Sequence, residues 1–188
     1  MNSNFYTVEE LKQIGFKAIG QNVKISKKAS IYFPNKIELG SNVRIDDFCI
    51  LSGNIKIGNY VHISAAVLLF GAVEGIEIND FCSISSRTAI YSCSDDYSGE
   101  ALCNPMVKEK YRKVTNKPVI LKKHVIIGTG STILPGVILE EGVSIGAMSL
   151  VNKTLKAWNI YAGIPAKKLN KRKKLYTLEE KFLEEENE

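Results

Sequence analysis

Val125-Ile126-Ile127-Gly128-Thr129-Gly130-Ser131-Thr132-Ile133-Leu134-Pro135-Gly136-Val137-Ile138-Leu139 places an aliphatic residue at every sixth position: Ile127, Ile133 and Leu139. The series extends outward to Leu121 on one side and to Ile145 and Val151 on the other. It recurs earlier as Leu39, Ile45, Leu51, Ile57, Ile63 and Leu69, then as Ile78, Ile84 and Ile90. A second, mostly smaller residue follows four positions later, as in Val43, Cys49, Val61, Val67, Val125, Ser131, Val137, Val143 and Ser149. Neither the 3.6-residue helical period nor strand alternation sustains a period of six. A parallel β-helix does: each hexad is a short strand plus a corner, and three hexads close one coil. Gly after the aliphatic residue, as in Ile57-Gly58 and Ile127-Gly128, suits a tight corner. About six coils at the inter-strand spacing of ~4.8 Å give a prism roughly 30 Å tall.

Departures from the repeat mark the remaining parts. Thr7 to Gly15 reads as a short helix, with Thr7 as N-cap, Glu10 completing a capping box and Gly15 as the stop. The stretch from Gly71 to Gly75 adds three residues to one coil. Residues 94–118 leave the repeat as a polar loop containing Asp95-Asp96-Tyr97-Ser98-Gly99, and a loop that long in a compact repeat tends to be functional or disordered. After the last coil, a basic-then-acidic segment with Leu169, Leu175, Leu178, Phe182 and Leu183 reads as an amphipathic helix capping the open end. The expected organisation is a helical cap at 1–18, a β-helix at 19–166 and a C-terminal helix at 167–188.

With 188 residues, 45% hydrophobic and 24% charged, the chain suits one ordinary globular domain. The net charge of +5 is gathered in Lys122-Lys123 and in 167–174, the latter offset by the acidic tail, and no recognition motif accompanies it. Nucleic-acid binding is therefore not expected. No apolar run reaches the ~20 residues that span a bilayer. Met1-Asn2-Ser3-Asn4-Phe5 lacks the basic and apolar regions of a signal peptide, so a cytoplasmic protein is expected. The four cysteines form no CxxC pair, and neither a metal site nor a disulfide framework is suggested.

The segment 125–137, then Ile145-Gly146-Ala147, then Tyr161-Ala162-Gly163-Ile164-Pro165-Ala166-Lys167 resembles the hexapeptide-repeat acetyltransferases. Among them the chain is similar to the galactoside and maltose O-acetyltransferases and the sugar O-acetyltransferases of surface-polysaccharide pathways. The resemblance implies a left-handed coil, a homotrimer with active sites between neighbouring prisms, and acetyl-CoA as co-substrate with a saccharide acceptor. It further implies that acetyl-CoA lies beside the C-terminal coils, at Gly128, Thr129 and Ala147. Asn152 and Lys153 would then flank the pantetheine arm, and Lys167 and Lys168 would reach the phosphates.

Acyl transfer from a thioester needs a base for the acceptor proton and donors for the oxyanion. Relatives carry a histidine just after the segment corresponding to Ile90–Ser94; this chain has Asp95, followed by Asp96. Of the two histidines, His124 reads as a surface residue at a turn. His62 sits at an outward corner position, either as the base or as a solvated side chain, with Asp95 or Asp96 orienting it or binding acceptor hydroxyls. O-acetylation of a sugar hydroxyl is the leading expectation. The alternative is N-acetylation of a nucleotide-linked amino sugar, whose neutral amine attacks without a strong base. Two histidines are too few for a zinc hydratase of the γ carbonic anhydrase kind.

Overall fold

The period of six closes as three flat faces. In the computed structural model, which describes residues 4–186, the chain winds into a left-handed parallel β-helix of about seven turns, one more than the repeat count suggests. Along the first face Ile25, Ile45, Ile63, Ile84, Ile127, Ile145 and Tyr161 stack in register. The second face stacks Ile31, Leu51, Leu69, Ile90, Ile133 and Val151. The third stacks Ile19, Leu39, Ile57, Ile78, Leu121 and Leu139. Nearly all of these side chains are buried, and each fully buried Ile or Leu contributes about 2 kcal/mol of apolar transfer. Cys49 and Cys82 fill the small positions, where burial pushes their thiols up to about 11 and about 12. Both are inert as nucleophiles.

Helix α1, Val8–Ile14, carries the capping box: the Thr7 hydroxyl accepts from the Glu10 amide, and Glu10 accepts from the Thr7 amide. Strand Leu68–Ile78 is three residues longer than its neighbour Ile50–Ile57, and the register shifts where it crosses the corner. The excursion is ordered: Cys93–Ser94 pairs antiparallel with Thr115–Asn116 at its root, and the repeat resumes at Val119 against Ile76.

The C-terminal segment differs from expectation. Lys167–Lys171 is a strand, antiparallel to Asn159–Ala162, and helix α2 spans only Tyr176–Glu186. The last coil leaves an open strand edge, and pairing with it satisfies backbone groups that a helix at 167 would leave bare. Residues 1–3 and 187–188, which the expected terminal segments include, lie outside the described residues. No helix among the described residues is long and apolar enough to cross a membrane.

Candidate active site

The chain turns from the first face to the second through residues 26–29, 46–49, 64–67, 85–88, 128–131 and 146–149. Register stacks Asp46, Ser64, Ser85, Gly128 and Gly146 in one file, with Asp47, Ala65, Ser86, Thr129 and Ala147 beside it. The N–H groups of that second file donate to nothing among the described residues. Open amides at the ~4.8 Å coil spacing suit an extended ligand bearing carbonyls. Gly128 contributes by packing: a Cβ would meet the Ala147 nitrogen at 2.4 Å, so glycine lets successive coils close up. The Thr129 hydroxyl donates to the Ser86 carbonyl at 2.6 Å and lies 3.1 Å from the Ser86 hydroxyl. Ser85, directly below Gly128, has a hydroxyl with no partner among the described residues, as does Ser64 one coil lower.

The structure separates the residues expected to hold acetyl-CoA. Gly128, Thr129 and Ala147 share this corner, and Lys167 and Lys168 stand above it, paired with Ala162 and Tyr161. Asn152 and Lys153 stand at the next corner, between the second and third faces, above the root of the excursion.

Asp95 leaves that root. Its carboxylate is held from within the excursion: Oδ2 accepts from the Asn104 amide at 3.2 Å and Oδ1 from Arg112 Nη2 at 3.5 Å. Arg112 Nε is buried and has no hydrogen-bond partner. Asp96 is turned inward on its own loop, accepting from Ser98, Gly99 and Glu100, and the Ser98 hydroxyl holds its carboxyl below the usual range. Loop closure consumes Asp96, whereas Asp95 stays anchored with room for another donor.

His62 lies on the first face two coils below Ile126, roughly 10 Å along the axis. Its Nε2 is 2.8 Å from Asp46 Oδ2, and Arg44 Nε donates to Asp46 Oδ1 at 2.7 Å. Burial raises the Asp46 carboxyl, but the bonds from His62 and Arg44 outweigh it and leave the group below its usual value.

The third corner carries aromatic rings at its tips. Tyr60 stacks on Phe81 at 4.8 Å and Phe81 on His124 at 5.3 Å, with Trp158 above, all under helix α2. His124 is only 5% exposed and sits 2.8 Å from Glu179, which corrects the expectation of a surface residue. In the lower coils the amides of Gln21, Ser41 and Asn59 are capped by Ser41, Asn59 and Asp80 from the coil above. Higher up, the amides of Asp80, Lys123 and Glu141 are also open, and charges of both signs, Asp80, Lys122, Lys123, Glu140 and Glu141, meet beside them. The upper coils of the open corner carry cations at Arg87, Lys167 and Lys168, which favour a polyanion there.

No family model matches the chain. It is 47% identical over 177 residues, 92% of each chain, to a dTDP-4-amino-4,6-dideoxy-D-glucose acyltransferase of Escherichia coli. The chain belongs to the hexapeptide-repeat acetyltransferase family. It is an acyltransferase. The solved N-acyltransferase AntD of Bacillus cereus, in complex with dTDP and 3-hydroxybutyryl-CoA, superposes with a TM-score of 0.97 at 54% identity, with both chains fully covered. A putative lipopolysaccharide biosynthesis O-acetyl transferase of Escherichia coli, WbbJ, is 27% identical over 78% of this chain and 74% of its own. The expected hydroxyl acceptor is thereby corrected. Of the two relatives near half identity, AntD is an N-acyltransferase and the other is named for an amino sugar, whereas the more distant one is named for oxygen.

Sequence reasoning passed over Ser85, Asp46 and Arg112. Ser85 occupies a file that holds glycine in the C-terminal coils, and a serine there carries no signal until its hydroxyl is seen to be unbonded.

Proposed function

We propose that this chain transfers an acyl group from acyl-CoA to the amine of a nucleotide-linked amino sugar of the dTDP-4-amino-4,6-dideoxyglucose class. The reading rests on an unbonded Ser85 hydroxyl and an Asp95 anchored within the excursion, ten positions apart in the sequence. AntD was also solved with one aspartate replaced and, in other structures, with a serine ten positions earlier replaced. Two pairs in this chain have that spacing, Ser85 with Asp95 and Ser86 with Asp96. Thr129 engages Ser86 and the loop consumes Asp96, so Ser85 and Asp95 are the pair left for a substrate.

Acyl-CoA then runs up the open amides of Ser86, Thr129 and Ala147, with its phosphates toward Lys167 and Lys168. Asn152 and Lys153 of a neighbouring copy face the arm across the cleft. The Ser85 hydroxyl donates to the thioester oxygen as it becomes an oxyanion. Asp95 accepts a hydrogen bond from the neutral amine, orients it, and takes its proton as the C–N bond forms. The C–S bond breaks, the proton taken up by Asp95 passes to the sulfur directly or through water, and CoA leaves as the thiol. Acetyl-CoA is the proposed donor, and no metal takes part.

Ser85 and Asp95 belong to different corners of one prism. About four residues at ~3.3 Å each separate the corners, roughly 13 Å. A site using both draws Asp95 from a neighbouring copy, as the homotrimer proposed for this chain would allow. His62, tied to Asp46 below this level, is assigned to acceptor binding and not to proton transfer.

The test is CoA release with a thiol reagent, using dTDP-4-amino-4,6-dideoxyglucose and its 4-hydroxyl analogue, with acetyl-CoA and 3-hydroxybutyryl-CoA as donors. Turnover is expected on the amine alone, falling about 10²- to 10³-fold in Asp95→Asn. Equal turnover on the hydroxyl analogue would overturn the reading.

A further inference from the structure

Ser83 and Ser85 flank the inward Ile84 on one rung, so both side chains project outward, about 6.7 Å apart along the strand. In the outward file of Ser83, Ile126 lies one coil above and His62 one coil below. Ser144 follows above Ile126, which is thus an aliphatic side chain between two serines, and it is 37% exposed. The Ser83 hydroxyl, like that of Ser85, has no partner among the described residues. His62 is turned toward Asp46. Gly128, directly above Ser85, brings no side chain, so nothing walls Ser85 off from this file. The result is a notch on the first face, open toward Ser85, with an apolar upper wall at Ile126 and a free hydroxyl at its far end.

The inference that follows rests on the proposed function for the path of acyl-CoA. The arm reaches Ser85 from the second-face side, along the amides of Ser86, Thr129 and Ala147. A thioester carbonyl held by the Ser85 hydroxyl therefore turns its acyl chain the other way, across the corner and onto the first face. We infer that the notch of Ser83 and Ile126 seats the transferred acyl chain, and that these two residues set its length and polarity. An acetyl methyl ends short of Ser83. A four-carbon chain extends roughly 4 Å beyond the carbonyl carbon, along Ile126 and up to Ser83. A hydroxyl on its third carbon also lies about 4 Å out, and a hydrogen bond of about 2.8 Å completes the ~6.7 Å between the two serines. The seat takes acetyl and chains of up to four carbons, and Ser83 favours those with a 3-hydroxyl.

The experiment compares kcat/KM by CoA release for acetyl-, butyryl- and 3-hydroxybutyryl-CoA, with dTDP-4-amino-4,6-dideoxyglucose as acceptor. Wild type is expected to prefer 3-hydroxybutyryl-CoA over butyryl-CoA about 10-fold, the worth of one hydrogen bond. Ser83→Ala should abolish that preference and leave acetyl-CoA unchanged. Ser83→Leu fills the notch, and should lower both four-carbon donors about 100-fold while holding acetyl-CoA within about twofold. Ile126→Ala should lower butyryl-CoA about fourfold relative to acetyl-CoA, the worth of burying one methylene. Both side chains point away from the core, so denaturation midpoints should hold in all three variants. Equal effects on the three donors, or none, would overturn the seat and leave the proposed function standing. So would a wild type that uses acetyl-CoA and rejects both four-carbon donors. A wild type that acylates the amine with no donor would overturn both.

Discussion

Two corners of the same prism use the same backbone for opposite ends. At the aromatic corner the positive-φ tips are Asn22, Asn42, Tyr60, Phe81, His124, Gly142 and Trp158; at the open corner they are Phe48, Ala66, Arg87, Gly130 and Met148. Each non-glycine residue there bears a similar left-handed strain. The first corner offsets it by ring stacking beneath α2, which seals that edge. The second carries one ring, Phe48, in a low coil, and above it only small or flexible side chains, so its amides there face outward. Identical coil geometry becomes a buttress where stacked rings meet α2 and a groove where the tips are small.

That contrast can be broken from either side. The largest effect is expected from Phe81→Ala, which removes the ring between Tyr60 and His124. Stability should fall by about 3 kcal/mol, read as a lower denaturation midpoint, with KM for acyl-CoA unchanged. Filling the other corner should do the reverse. Ala147 is exposed and its φ is ordinary, so Ala147→Tyr is expected to raise KM for acyl-CoA about 100-fold, near 2.7 kcal/mol. The midpoint should move by no more than about 0.5 kcal/mol. Equal damage to folding would show that the open edge is structural after all.

The clamp on α2 gives a pH-dependent version of the same comparison. Burial opposes ionisation of Glu179, yet bonds from Lys123 and His124 outweigh it and hold the carboxyl below its usual range. A depressed carboxyl stabilises the docked helix at neutral pH, and that stabilisation is lost as pH falls through the depressed value. Glu179→Gln should remove about 2 kcal/mol of helix docking near pH 7. It should also flatten the acid limb of Trp158 fluorescence against pH, leaving dTDP binding intact.

The hexad period made most of this legible. Every inward column from Leu39 to Val151 follows from spacing, because each position meets the same neighbour one coil away. What spacing cannot carry is contact between distant segments. His124 read as exposed because its cover, Glu179, lies 55 residues on. Lys167–Lys171 read as helix because its composition is that of a polar helix, while an unpaired edge at Asn159–Ala162 decides otherwise. The acceptor was half-legible: Asp95 in place of a histidine hinted at nitrogen, but overall likeness to O-acetyltransferases outweighed a single residue. Ser85 and Arg112 needed the hydrogen-bond network to be seen at all.

The smallest effect concerns how firmly the loop corner presents Asp95 to the open one. Arg112 is mostly buried, reaches Asp95 at 3.5 Å, and has an Nε with no bond. A buried guanidinium left partly unsatisfied is kept in place by the excursion around it, and its charge fixes the carboxylate's direction. Arg112→Gln should therefore lower kcat about 10-fold, equivalent to ~1.4 kcal/mol, with KM for acyl-CoA unchanged. In an Asp95→Asn background the same substitution should do almost nothing, because a residue that acts through another has no effect once that one is gone. If the two losses multiply instead, Arg112 touches substrate itself, and the open Nε would be the atom to examine.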